Sequence, residues 1–217
     1  RFFKPEMNKE ITERVSNESN LYKAIKNEEF LLLYQPQIDL KTNKLIGFEA
    51  LIRWDSPEKG VLAPYKFIHI AEETNLIIPL GQWIIEETCK QNKKWHDMGY
   101  KLTCAINISA KQFVKSNIVN IIKTVLNKTK LNAKYLELEL TETILMTNID
   151  KTVKILNKLK KLGVKISIDD FGTGYSSLSY LKKFPIDTLK IDQSFISSIK
   201  DKEDDENSAI ANIVIDL

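Results

Sequence analysis

The sequence predicts an α/β domain built as a (β/α) barrel whose first strand runs against the others. Two strand-like stretches, 30–40 and 45–54, are joined only by Lys41-Thr42-Asn43-Lys44. A parallel crossover needs about a dozen residues or more, so this first pair is an antiparallel hairpin. From residue 66 onward strand-like and helix-like stretches alternate, the pattern of a parallel sheet covered by helices. An open doubly wound sheet would want a glycine-rich phosphate turn after an early strand, and the chain has none.

Taken in order, residues 8–29 carry a helical apolar pattern at Val15, Leu21, Ala24 and Ile25 and form a lead-in helix. After the hairpin, helices over 66–77 and 80–98 lead to a strand over 101–109, and a helix over 117–129 leads to a strand over 135–141. A helix over 149–161 stops at Gly163, a natural residue just past a helix end, and a strand over 164–169 follows. A short helix over 176–182 precedes a strand over 188–192, and Ala209, Ile210, Ile213, Val214 and Leu217 keep helical spacing to the last residue. That makes about six strands where a closed barrel has eight in roughly 250 residues. The 217-residue chain starts without Met and stops within a helical pattern, so we expect a piece of a longer protein that lacks its C-terminal strands.

Lys and Arg number 32 and Asp and Glu 29, a net charge of +3 with the lysines scattered. This balance argues against a DNA- or RNA-binding surface and against a basic membrane face. The two cysteines, Cys89 and Cys104, support neither a disulfide framework nor a cysteine-rich zinc site. No apolar run reaches the roughly 18 residues needed to span a bilayer.

Barrel enzymes take their catalytic residues from the C-terminal ends of several strands. Here those ends carry acids, an amide and a lysine: Glu49, then Asn107, then Glu139 and Glu142, then Asp169 and Asp170, then Lys190 and Asp192. Any one of these alone reads as a solvated strand end; their succession does not. In Leu136-Glu-Leu-Glu-Leu-Thr141 the leucines share one face and the glutamates the other. A barrel strand has no solvent face, so Glu137 and Glu139 point into the lumen, where an uncompensated charge is costly. A cation near the mouth would compensate Glu139, whereas Glu137 lies deeper and needs a partner that the sequence does not name. Asp169 and Asp170 would point opposite ways on a regular strand and can face one ion only if the chain turns, a role we expect of Phe171-Gly172-Thr173-Gly174. Carboxylates with an Asn amide form an all-oxygen set suited to Mg²⁺ or Mn²⁺ rather than zinc. A pair of such ions about 3.5–4 Å apart is the arrangement used to hydrolyse phosphodiesters.

Other motifs point elsewhere and fail. Asp170-Phe171-Gly172 imitates a kinase triplet, but the kinase glycine-rich loop and His-Arg-Asp motif are absent. His96-Asp97 imitates a His-Asp phosphohydrolase dyad, yet the only other histidine is His69, so His96 reads as a packing residue. Gly172-Thr173-Gly174 lacks the Gly-Lys-Ser/Thr of a P-loop.

Gly47-Phe48-Glu49-Ala50-Leu51-Ile52-Arg53-Trp54 resembles the signature of the EAL domain family. The resemblance continues through Pro57, Gly60, Pro64, Phe67-Ile68, Ala71-Glu72-Glu73 and Asn107-Ile108-Ser109. It extends to Glu139-Leu140-Thr141-Glu142, to 169–178 and to Lys190-Ile191-Asp192, and so covers 21–217 in order. Residues 1–20 resemble the linker that joins an upstream GGDEF domain to an EAL domain.

The resemblance implies a modified (β/α)₈, TIM-like barrel with an antiparallel first strand. It implies a cyclic di-GMP phosphodiesterase that forms linear pGpG and so controls a second messenger. By it Glu49, Asn107, Glu139, Asp169 and Asp170 are metal ligands, and Glu49, Asp169, Asp170 and Lys190 carry the catalysis. Lys190 would orient or deprotonate the attacking water. Gln35, Arg53 and Asp192 would contact the dinucleotide, Arg53 through a planar fork suited to phosphate. Glu142 would anchor the loop 171–177, which couples metal binding to dimerisation in the family. A homodimer, an upstream GGDEF or sensor domain and a cytoplasmic location, with the parent protein membrane-anchored or not, complete the expectation. The family's later Glu-Gly-Val-Glu motif and the glutamine after it are not within these residues, and a chain without them would be expected to hydrolyse little. The rival expectation is an inactive EAL domain that binds cyclic di-GMP as a sensor. A protein-protein scaffold would leave the ring of acids unexplained.

Overall fold

The computed structural model describes residues 18–172 and 181–194. Helix α1, over 18–26, buries Leu21 and Ala24 against the start of the sheet. Strands β1 (Phe30–Asp39) and β2 (Lys44–Ser56) then pair antiparallel, with Gln35 opposite Glu49 and Leu31 opposite Arg53. The hairpin closes tightly because the Asp39 carboxylate accepts from the Lys41 and Thr42 amides and the Thr42 hydroxyl, while Asn43 takes a φ of 52°. At the other end of the hairpin the short β3 (Gly60–Leu62) pairs with β2, and the Trp54 indole donates to Glu29 at 3.0 Å.

The rest alternates as expected. Helices α2 (Ile68–Glu73) and α3 (Ile77–Asp97) lead to β4 (Thr103–Ile108), and α4 (Ala110–Lys115) and α5 (Ile118–Thr129) lead to β5 (Leu136–Thr141). Helices α6 (Glu142–Met146) and α7 (Ile149–Leu162) lead to β6 (Lys165–Phe171), and β7 (Thr188–Ile191) is the last described strand. The sheet order is β1-β2-β4-β5-β6-β7, with every pair parallel except the first. This is the modified (β/α) barrel, and the antiparallel first strand follows from the brevity of the first turn.

Three local features differ from the sequence-based expectation. The helix expected over 66–77 is a 3₁₀ turn at Pro64–Lys66 followed by α2, and Asn75, at φ 62°, separates α2 from α3. Helices α4 and α6 are too short to leave a periodic pattern; α4 is marked by Ser109, whose hydroxyl caps the Gln112 amide at 3.1 Å. Strand β6 runs on to Phe171. The lead-in helix before residue 18, residues 176–180 of the helix expected over 176–182, and the final helix lie outside the described residues.

Inner and outer faces of β5 are both closed. Leu136, Leu138 and Leu140 are at most 1% exposed and pack with the helices, while Glu139 is 1% exposed on the other face. Strand β2 approaches β4 closely at Gly47, where an added Cβ would stand 2.7 Å from the Thr103 carbonyl oxygen. Backbone cannot give way as a flexible side chain can. Gly47→Ala is therefore expected to cost about 1–3 kcal/mol, read as a lower midpoint in thermal or urea unfolding relative to the unsubstituted protein.

Candidate active site

Ladder partners point to the same side of a sheet, so the register decides what converges. Glu49 pairs with Ala105 and Ala105 with Glu137; Asn107 pairs with Glu139, and Glu139 with Ser167. Thr141 pairs with Asp169, and Ser167 with Thr188, two residues before Lys190. Glu49, Asn107, Glu139, Asp169 and Lys190 consequently share the inner side of five neighbouring strands, the last four near the C-terminal ends of β4 to β7 and Glu49 midway along β2, within its stretch paired with β4. Asp170 would face away on a regular strand. Instead the register slips between Ile168 and Phe171, and Asp170 itself takes a φ of 52°. The redirection expected of the glycine loop thus begins one step earlier, at a bulge within the strand.

The side chains meet. The Lys190 ammonium lies 2.8 Å from Glu139 Oε2, 3.2 Å from Asp169 Oδ1 and 3.3 Å from Glu49 Oε2. The Asn107 amide donates to Glu49 Oε1 at 2.8 Å. The Glu139 side chain is wholly buried, and among the described residues its Oε1 has no hydrogen-bond partner. Burial pushes the Glu139 carboxyl up to about 7; Lys190 opposes the shift, and Glu49 and Asp169 add to it. Burial works against the Lys190 charge, but the hydrogen bond to Glu139 and the fields of three carboxylates outweigh it, so Lys190 stays above the ordinary lysine range. Asp170 is raised by desolvation and then by the neighbouring Asp169 and Asp192 carboxylates.

These residues fit a divalent-cation site. Three carboxylates converge on one ammonium, leaving uncompensated negative charge, and the Glu139 Oε1 is left without a hydrogen-bond partner among the described residues. All donors are oxygen, the chemistry of Mg²⁺ or Mn²⁺. Among the described residues no group of three or more His, Cys, Asp or Glu stands at metal-holding spacing; the three carboxylates instead surround the Lys190 ammonium.

The remaining expected residues fall around this centre. Gln35 faces Glu49 across the first ladder and is exposed, and Arg53, four residues on, shares that side and donates to the Ile52 carbonyl at 2.8 Å. Glu142 opens α6, is 4% exposed and accepts from the Gly172 amide at 3.2 Å, which fixes the start of the loop; 173–180 lie outside the described residues. Asp192 accepts from the Ser194 amide at 2.8 Å and from its hydroxyl, which holds its carboxyl below the usual range. Ser194 was not expected; the Asp-x-Ser spacing of a capped turn is the signal that would have found it. Glu137 stands in register with Lys165. His96 is a packing residue: its Nε2 meets the Leu102 carbonyl at 3.1 Å and its ring stacks edge-on against Tyr135. Cys89 and Cys104 are free and buried, and burial raises both thiols.

The EAL domain family model matches residues 18–217. Signaling protein YkoW of Bacillus subtilis (strain 168) is 52% identical over 193 residues, spanning 89% of this chain and 24% of that protein. Cyclic di-GMP phosphodiesterase PdeR of Escherichia coli (strain K12) is 42% identical over 197 residues, 91% of this chain and 30% of that protein. The chain thus spans less than a third of the length of these curated relatives. Among solved structures, the PaMucR phosphodiesterase in its c-di-GMP complex superposes with a TM-score of 0.87 at 38% identity, covering 92% of this chain and 81% of that one. The EAL domain protein from Listeria monocytogenes EGD-e gives 0.73 at 36% identity, covering 91% and 76%.

The Glu139 shift has a sign that can be measured. The folded state holds the Glu139 proton more tightly than the unfolded chain, whose value is 4.5. Its contribution to stability is therefore full below pH 4.5 and lost as pH rises through about 7. In metal-free protein, urea-unfolding free energy should fall across that window by more than in Glu139→Gln, which lacks the ionisation. Parallel pH profiles for the two proteins would contradict the assignment.

Proposed function

This chain belongs to the EAL domain family, and from that membership we propose that it is a metal-dependent phosphodiesterase hydrolysing cyclic di-GMP to linear pGpG. The observation that carries the reading is the convergence of Glu49, Glu139 and Asp169 from three strands on one cationic point, with a buried carboxylate oxygen left over. A structural salt bridge would not leave that oxygen orphaned. The barrel gathers such groups for chemistry at its C-terminal rim.

Glu49, Asn107, Glu139, Asp169 and Asp170 would hold two divalent ions, Mg²⁺ or Mn²⁺. When bound, such ions supply polarisation of a phosphoryl oxygen and a lowered pKa for water. Arg53 would grip a phosphate through its planar fork once the dinucleotide displaces the Ile52 carbonyl as its partner. Gln35, exposed beside Glu49, and Asp192, fixed by Ser194, would orient the dinucleotide. Lys190, held among Glu49, Glu139 and Asp169, would orient or deprotonate the attacking water. Water adds to one phosphorus, the bond from that phosphorus to a ribose O3′ breaks, and a proton goes to the leaving oxygen. Glu142 would hold the loop at Gly172 in the geometry that Asp169 and Asp170 require.

We further propose that 1–20 form a linker from an upstream GGDEF or sensor domain, that 21–217 belong to the EAL domain, and that the protein acts as a homodimer. Curated relatives several times longer than this chain support the multidomain arrangement. Among the described residues no helix is long and apolar enough to cross a membrane. A cytoplasmic site of action suits a doubly charged dinucleotide that does not cross bilayers unaided.

The deciding assay incubates cyclic di-GMP and Mn²⁺ with protein that includes the family's motif after the seventh strand and follows pGpG by chromatography. Turnover is expected, is expected to vanish in EDTA, and should drop by about 100-fold or more in Glu49→Ala, which removes a carboxylate that nothing else in its strand replaces. Binding without pGpG would favour the sensor reading, and near-normal turnover by Glu49→Ala would refute its role.

A further inference from the structure

We infer that Lys190 is a built-in placeholder cation, its ammonium filling the divalent-metal position until an arriving ion displaces it. The inference rests on the metal site proposed above and concerns what occupies that site beforehand. Lys190 reaches carboxylates of three strands, at 2.8, 3.2 and 3.3 Å, and is only 27% exposed. That arrangement is a coordination shell with nitrogen at its centre. A lysine kept solely to steer water or substrate would have no reason to bury itself among Glu49, Glu139 and Asp169.

Two physical consequences follow. Without a cation, three converging carboxylates, one of them wholly buried, would repel one another and destabilise the end of the barrel. The ammonium supplies that charge, so the metal-free fold does not need metal to hold together. Divalent ions bind carboxylate oxygens at about 2.0–2.2 Å, inside the sphere the ammonium now fills. The two cannot share the space, and like charge forbids close approach. Metal entry therefore requires Lys190 to swing out, and the ion pairs it gives up weaken metal affinity. The swing also delivers the ammonium to the edge of the loaded site, where it can donate to water.

Lys190→Met keeps the side-chain length and removes the charge. In EDTA its thermal midpoint should fall by roughly 5 °C or more. In saturating Mn²⁺ the midpoint should return to that of the unsubstituted protein, and the Mn²⁺ dissociation constant, read from the electron paramagnetic resonance of free Mn²⁺, should tighten about tenfold. An unchanged or weaker constant, or a midpoint deficit that persists undiminished in Mn²⁺, would overturn the inference, because a plain structural ion pair predicts both. Should the variant fail to fold without metal, the Lys190 side-chain resonance of the unsubstituted protein, assigned with Lys190→Arg, should move on Mg²⁺ titration; a stationary signal would overturn the inference equally. None of these readouts uses the dinucleotide. Tighter metal binding without pGpG would sink the enzyme reading alone, and pGpG formation with unaltered metal affinity would sink the placeholder alone.

Discussion

A carboxylate with no access to water sits at the centre of this structure. Glu139 can be there only because something positive is there too, and in this structure that is the ammonium of Lys190, 2.8 Å away and two strands distant. Glu49 and Asp169 crowd the same ammonium from β2 and β6. Like charges held this close are tolerable only with a shared counter-charge. The mouth of the barrel is in this sense built around a cation, whichever one occupies it.

The scaffold makes that concentration of charge possible by leaving no alternative direction for the side chains. Strand β5 is enclosed on both sides, with leucines taking the helix side and glutamates the lumen. Parallel register then aligns Asn107 with Glu139 and, one row on, Thr141 with Asp169. Where regular geometry would have failed, at Asp170, the strand bulges and the residue adopts a left-handed conformation that aspartate tolerates better than most. Strain of this kind is placed where function needs a side chain turned. Glu142 tethers the chain just beyond the bulge by accepting from Gly172, which ties the loop to the same rim.

Much of this was legible in the residues. The four-residue turn could only join antiparallel strands, and the alternation after it could only wrap a parallel sheet. The succession of Asn107, Glu139, Asp169 and Lys190 was legible because strand ends in a barrel converge by topology, and Glu49, midway along β2, joins them through the parallel register with β4. Helices α4 and α6 were not, since five or six residues carry too little periodicity to stand out. Ser194 is not legible in the sequence, because its contribution is to hold Asp192 still, and a positioning hydroxyl looks like any other serine until the fold shows what it touches.

The sequence by itself determined the barrel and the antiparallel first strand, because each depends on local pattern and chain connectivity. Tertiary structure alone decided where the positive charge rests. Lys190 lies 51 residues from Glu139 and 141 from Glu49 along the chain, and only the folded sheet brings its nitrogen within 3.3 Å of both. Distances of that kind are set by register and shear, which local sequence does not encode. The same is true of the orphaned Glu139 oxygen: burial is a property of the assembled core, and a glutamate in a strand reads alike whether it meets water or none.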